Sequence, residues 1–391
     1  MRVLFLDYAH ERGLRPDAGG FRKLWELAWA LQEAGHEVVV LYPRLPGHEP
    51  LRAVPCRAYP VLDAPYVRPL TAYLSMGACA LRLGWRRRPD AVYFRSGANV
   101  LPLGLARALG AAAVLEVNAD AEEFHRVEGA GAVRRRLWRT LEGWNARGSA
   151  AIVTLTPGLQ RMLVTRYGVP EAKVRVIPSG TDVAHFTPED PAAARRRLGL
   201  DPSHAVVGFV GLFYRHQGVP TLLHALARLG TAGVPVVGLV VGDGVMRAAW
   251  EALARSLGLA DAVRFTGQVP YERVPAFLAA MDVVAAPFTA GRGETSPFKI
   301  LDAMAAERAV VASALPSIRA LAEASGALTL VPPDDPAALA AALRDLLADP
   351  ARRGALARRG REFVVARHGW DKIADVLAAT LRDVCRGGSA G

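Results

Sequence analysis

The feature that most constrains this chain is an alternation of short apolar runs with helix-length amphipathic stretches, carried through once in the first half and again in the second. Residues 3–6 (Val-Leu-Phe-Leu) are an apolar run. Residues 21–34 place Leu24, Leu27, Ala28 and Leu31 on one helical face, Gly35 ends that stretch, and residues 37–42 return to a strand pattern. A strand–loop–helix–strand unit of this kind joins parallel strands, because a parallel connection must cross back over the sheet and the helix covers the face it crosses. Further strand candidates are 91–94, 112–117, 151–155 and 174–177, with helical stretches near 72–84, 101–109, 133–146 and 157–167. The alternation restarts at 206–210 and continues through strands at 236–242, 263–266, 283–286, near Val310 and at 328–331. The expected fold class is therefore α/β, with two doubly wound parallel sheets and ligand sites at the carboxyl ends of the strands.

Turn residues divide the halves. Pro178-Ser179-Gly180-Thr181-Asp182 is a loop signal, and residues 186–203, with Pro188 and Pro191, read as a linker with a short helix. The expected domains are 1–185 and 204–369. Residues 370–391 should return to the first domain, since 370–384 are amphipathic with Ile373, Val376, Leu377 and Leu381 on one side.

At 391 residues the chain can bury two cores. No stretch approaches the ~20 apolar residues of a membrane-spanning helix. The N-terminus enters a strand directly and Asp7 follows, which does not read as a signal peptide. Three widely spaced cysteines, Cys56, Cys79 and Cys385, make neither a disulfide framework nor a zinc pattern, which suits a reducing cytoplasm. The formal charge of +11 narrows the partners further. Arg86-Arg87-Arg88 beside Trp85, and Arg134-Arg135-Arg136 beside Trp138, suit an anionic membrane surface or a polyanionic acceptor. They equally suit plain solubilisation by arginine. No recognition module for nucleic acid accompanies them. The location expected is cytoplasmic, with a peripheral position on the inner membrane face as one reading of the arginines.

The segment richest in chemistry is 293–307. Ser296 suits an N-cap, Pro297 the first helical position, and Phe298, Ile300, Leu301 and Met304 supply packing. A helix start attracts anions through free N–H groups and the helix dipole. The dipole alone favours an acidic residue in the first turn, so Lys299 there points to an external anion. Only four of the 48 basic residues are lysines: Lys23, Lys173, Lys299 and Lys372. Glu294 lies just outside the helix, and Asp302, three residues after Lys299, shares its face. The same residues also describe an ordinary capped helix with a solvated Lys–Asp pair. In the first half, the Ala18-Gly19-Gly20 loop and the strand ends Arg95-Ser96-Gly97 and Glu116-Val117-Asn118 face the expected ligand edge. There they either line a site or cap the sheet.

The ordered series Ala18-Gly19-Gly20, Val176–Asp182, Phe209-Val210-Gly211-Leu212-Phe213 with Gly218, Val241-Gly242-Asp243-Gly244, Phe265–Val269 and Glu294-x7-Asp302 resembles the family 4 retaining glycosyltransferases of the GT-B fold. The resemblance covers nearly the whole length. It implies two Rossmann-like domains facing a cleft, a nucleoside-diphosphate sugar as donor (a UDP-sugar by guess), no cofactor, and a hydroxyl acceptor. The Glu294–Lys299 form resembles the subset acting in cell-surface polysaccharide assembly, which implies a glycan or lipid-linked acceptor. By the same resemblance Glu294 binds the donor sugar, Asp302 the ribose, and Lys299 with the amides of Phe298 and Lys299 the diphosphate; Thr295 and Ser296 belong to that donor loop. Val269 contacts the base through its backbone. Gly19 and Gly20 belong to the nucleotide-sugar site, and Arg95, Glu116 and Asn118 are acceptor or sugar contacts.

The chain departs from the family pattern at three places. Asp302 stands where Glu is usual. Leu212 and Gln217 stand where an Arg and a Lys usually meet the diphosphate, with Arg215 or His216 as the expected compensation. Glu307 stands where a glycine usually ends the helix. No Asp-x-Asp motif is present, so Lys299, Arg215 and the helix start are expected to do the work of a metal. Two other readings remain open at this point: a nucleotide-sugar 2-epimerase on the same fold, and a non-catalytic nucleotide-sugar or glycan-binding protein.

Overall fold

The computed structural model describes residues 1–8, 19–46, 48–64, 67–97, 99–122, 131–294 and 298–387. The chain runs β1 (Arg2–Leu6), α1 (Gly19–Glu33), β2 (Glu37–Arg44), β3 (Cys56–Pro60), α2 (Val67–Arg86), β4 (Ala91–Arg95), α3 (Leu101–Leu109), β5 (Ala112–Val117), α4 (Ala132–Gly148), β6 (Ala151–Thr154), α5 (Pro157–Tyr167) and β7 (Val174–Val176). It continues through α6 (Pro191–Leu198), β8 (Ala205–Val210), α7 (Val219–Thr231), β9 (Val236–Val241), α8 (Arg247–Ser256), β10 (Val263–Phe265), α9 (Val274–Ala279) and β11 (Val283–Ala286). After these come α10 (Phe298–Ala305), β12 (Ala309–Ser313), α11 (Pro316–Ser325), β13 (Leu328–Val331), α12 (Pro336–Ala348), α13 (Pro350–Arg367) and α14 (Trp370–Gly387). Among the described residues no helix is long and apolar enough to cross a membrane.

Two compact units result. The first takes Met1–Gly180, Glu294 and Trp370–Gly391; the second takes Thr181–Gly293 and Pro297–Gly369. In the first, seven parallel strands lie in the order β3-β2-β1-β4-β5-β6-β7. In the second, six parallel strands lie in the order β10-β9-β8-β11-β12-β13. Each order reverses once, between β1 and β4 and between β8 and β11. Ligands of open α/β sheets bind beyond the strand ends at such reversals.

The sequence periodicity locates nearly every element, and the exceptions have physical reasons. β3 has no counterpart among the expected strands. It is an edge strand of sequence Cys-Arg-Ala-Tyr-Pro in which only Tyr59 is fully buried, so it carries no apolar run. Tyr59 secures it by donating to the Asp7 carbonyl at 2.8 Å. Residues 186–203, expected as a linker, belong to the second unit. Their helix α6 is held there by Arg195, which donates to the Ala280 carbonyl at 2.9 Å and pairs with Asp282 at 2.5 Å. The C-terminal helix α14 packs on α1 within the first unit, as its pattern implies. Its buried stripe runs through Trp370, Ile373, Ala374, Leu377, Ala378 and Leu381 and leaves Val376 half exposed.

Glu307 takes φ = +55°, the left-handed conformation a glycine would adopt more cheaply. The turn closes regardless, with Glu307 N–H donating to the Met304 carbonyl at 3.0 Å and Arg308 N–H to the Ala303 carbonyl at 2.9 Å. Glu307→Gly is therefore expected to stabilise the protein by about 1 kcal/mol; urea denaturation showing a loss of stability would contradict the strain at this position.

Candidate active site

In the second unit the loops leaving β8 and β11 stand side by side, because those strands are neighbours. Gly211 follows β8 with φ = +150°, a conformation that favours glycine, and a Cβ built there would lie 2.8 Å from Lys299 Nζ and push the ammonium aside. Gly218 ends the short turn Arg215–Gln217 with φ = +68°, and a Cβ there would overlap the Pro287 carbonyl oxygen. The Thr289 N–H donates to the His216 carbonyl at 3.2 Å and ties the two loops together. A second short turn, Ala290–Arg292, is anchored by the Ala290 N–H donating to Asp334 Oδ2 at 2.9 Å.

Lys299, in the first turn of α10, reaches into this junction. Its ammonium donates to Gln217 Oε1 at 2.5 Å and sits 3.7 Å from the centroid of the Phe209 ring and 5.1 Å from that of Phe288. Arg292 stacks its guanidinium 4.1 Å from the centroid of the same Phe288 ring. Its Nε and Nη1 are buried without a hydrogen-bond partner. Among the described residues no carboxylate pairs with Lys299 or Arg292. Burial, and then the charge of Arg292, push the Lys299 ammonium well below its ordinary range. Burial also pulls Arg292 down to about 10. His216 is lowered to about 4 by burial and then by Arg292 and Lys299. An enclosed pair of like charges is costly unless an anion joins it.

Asp302, Phe298, Val269 and Arg215 lie in the same unit as this pair. Asp302, one turn along α10, accepts from Thr181 Oγ1 at 2.5 Å. Phe298 opens the described part of α10, and Val269 lies partly buried beyond β10. Arg215 is exposed at the outer side of its turn, so His216, not Arg215, faces the cations. Thr295, Ser296 and Pro297, with the expected cap, lie outside the described residues. Arg292 was not anticipated. Its only signal was an arginine flanked by glycines immediately before Glu294.

In the first unit, Gly19 and Gly20 are the first two residues of α1 and not a loop before it. Glu116 sits on β5 opposite Arg95 on β4. It was expected to touch acceptor or sugar, but it is fully buried and paired with the equally buried Lys23 at 2.6 Å. Arg95 Nε approaches Glu116 at 3.6 Å. Burial raises the Glu116 carboxyl, but Lys23 and Arg95 outweigh it and hold the group below the carboxylate range. Glu116 thus orients Lys23 and Arg95 from behind. Asn118 accepts from Lys23 at 3.5 Å and keeps a buried, unpartnered Nδ2. Lys23 was missed as a site residue, although a lysine on the apolar face of α1 was a visible signal. Glu294 belongs to this unit and lies against Gly158 in the first turn of α5; a Cβ at 158 would come within 2.4 Å of its carboxyl carbon. Its Oε2 is buried with no hydrogen-bond partner.

The two lysines should respond oppositely to mutation in the ligand-free protein. Glu116→Ala, which strands Lys23, should cost about 3 kcal/mol or more, whereas Lys299→Met should leave the thermal midpoint unchanged or raised. A destabilisation by Lys299→Met as large as that of Glu116→Ala would show that Lys299 is a structural cation.

Residues 19–185 match the model of Glycosyltransferase Family 4, and residues 204–349 match that of Glycosyl transferases group 1. A 2-deoxystreptamine glucosyltransferase of Streptomyces kanamyceticus is 32% identical over 253 residues, 63% of this chain and 64% of that protein. A D-inositol 3-phosphate glycosyltransferase of Segniliparus rotundus is 34% identical over 231 residues, 58% of this chain and 51% of that protein. The matches thus span between about half and just under two thirds of these relatives' own lengths. The sucrose-phosphate synthase of Thermosynechococcus elongatus shares the fold, with a TM-score of 0.81 at 22% identity over 99% of both chains. The two family matches adjoin in chain order, each falling on one of the two parallel-sheet units, and the chain belongs to the family 4, group 1 glycosyltransferases of the GT-B fold.

Proposed function

We propose that this protein is a retaining glycosyltransferase that moves a hexosyl group from a nucleoside-diphosphate sugar to a hydroxyl acceptor. The observation that carries the reading is the half-buried Lys299–Arg292 pair, which has no carboxylate to balance it among the described residues and stands at the strand reversal of its sheet. Breaking a sugar–phosphate bond leaves negative charge on the departing diphosphate, and preorganised cations and helix-start amides stabilise that charge as it develops. Lys299 and the amides of Phe298 and Lys299 hold the diphosphate, Asp302 accepts from the ribose hydroxyls, and the backbone of Val269 meets the base. Glu294, with a buried unpartnered oxygen, accepts from donor-sugar hydroxyls. With configuration retained, the acceptor attacks from the donor's own face and a diphosphate oxygen takes the acceptor proton. Arg95 and Asn118 touch the acceptor, positioned by Glu116 and Lys23. The base in this reading is uridine, as the resemblance implies.

The acceptor is proposed to be glycan- or lipid-linked, in cell-surface polysaccharide or glycolipid assembly, with the protein in the cytoplasm at the inner membrane face. Exposed Val67, Leu70, Leu74 and Trp85 on α2 and Val133, Leu137 and Trp144 on α4, interleaved with arginines, support a membrane surface. Both helices pack into the same apolar layer through Met76 and Ala146.

A thermal-shift screen of nucleoside diphosphates and nucleotide sugars should give one stabilising class, and Glu294→Ala should abolish transfer while the fold survives. Unchanged transfer in Glu294→Ala would remove its assignment, and free epimer formed without acceptor would favour the epimerase. Chelator should leave the rate unchanged. The protein should float with vesicles containing anionic lipid and not with zwitterionic ones; flotation with neither, or equally with both, would remove the anionic membrane surface as partner.

A further inference from the structure

We infer that Arg292 is the second diphosphate-binding cation of this enzyme, doing from the loop after β11 what the family pattern assigns to the loop after β8. The inference rests on the donor-site reading above and deepens it. The usual arginine and lysine positions hold Leu212 and Gln217, one apolar and one neutral, so a chain built on the usual plan would lack both charges. The structure nevertheless holds two cations at the same strand reversal. Lys299 comes from α10 and is oriented by Gln217 itself at 2.5 Å. Arg292 comes from the turn Ala290–Arg292.

Three observations separate Arg292 from a structural arginine. A structural arginine that is enclosed has its N–H groups hydrogen-bonded, yet Nε and Nη1 here are buried and unbonded. Its neighbours repel it: Lys299 shares the Phe288 ring, and Arg292 in turn depresses Lys299 and His216. The turn that carries it is held by backbone bonds that leave the guanidinium out, Thr289 N–H to the His216 carbonyl and Ala290 N–H to Asp334. A fork of N–H donors held beside a second cation matches paired phosphate oxygens, which accept two parallel bonds from one guanidinium. Because β8 and β11 are adjacent, a charge moved from one loop to the other reaches the same place.

The test measures binding of UDP, GDP and ADP, then compares the tightest binder with its parent nucleoside, by calorimetry. Arg292→Gln should weaken the diphosphate about tenfold to a hundredfold and leave nucleoside binding within twofold. Arg292→Lys should recover part of the loss. Adding Leu212→Arg to Arg292→Gln should restore most of it, because the charge returns to the position the family pattern favours. The ligand-free thermal midpoint of Arg292→Gln should stand at or above that of the unmodified protein, since an unbalanced enclosed charge is gone; a large fall would make Arg292 structural and overturn the inference. Diphosphate affinity unchanged in Arg292→Gln but lost in Lys299→Gln would overturn the inference and leave the donor-site reading intact. Affinity unchanged in both variants would overturn both.

Discussion

Enclosing Lys299 and Arg292 together without a carboxylate is the constraint on which the second unit's site depends. Like charges away from water repel and lose hydration, so the surrounding backbone must hold them against their own preference. Gly211 admits the ammonium and Gly218 lets the β11 loop lie against the β8 loop. The Phe209 and Phe288 rings face the cations with the negative side of their quadrupoles. Asp334, itself at φ = +58°, holds the turn that carries Arg292. Strain and unbalanced charge gathered in one place are what a site prepared for an anion requires.

The first unit uses the same residue types to the opposite end. Lys23 and Glu116 are fully buried and Arg95 partly so, but the lysine has a carboxylate at 2.6 Å and the arginine stands next to the same group. Charge there is largely compensated, so the cluster sets side-chain direction and does not wait for a counter-ion. What it leaves open is neutral: the amide nitrogen of Asn118.

Period and turn chemistry made most of the elements legible, because a parallel strand buried on both faces reads as a continuous apolar run and a covering helix as a 3.6-residue stripe. β3 escaped because an edge strand buries little. The segment at 186–203 read as a linker because its prolines and arginines signal exposure, while Arg195 spends its charge on Asp282 and the Ala280 carbonyl far along the chain. Glu307 stood out as a glycine substitute, and the backbone takes the glycine conformation there anyway.

The sequence by itself determined the two-sheet plan and singled out Lys299, since both follow from local spacing and from the scarcity of lysine. Only the tertiary structure decided which charges share a site. Whether an arginine is solvated, as Arg215 is, or enclosed beside another cation, as Arg292 is, depends on which strands are neighbours, and strand order is set by contacts between residues distant in the chain. The same holds for Glu116: its type and strand-end position mark it as a candidate contact, and only the packing of α1 over the sheet, bringing Lys23 onto it, turns it into a support.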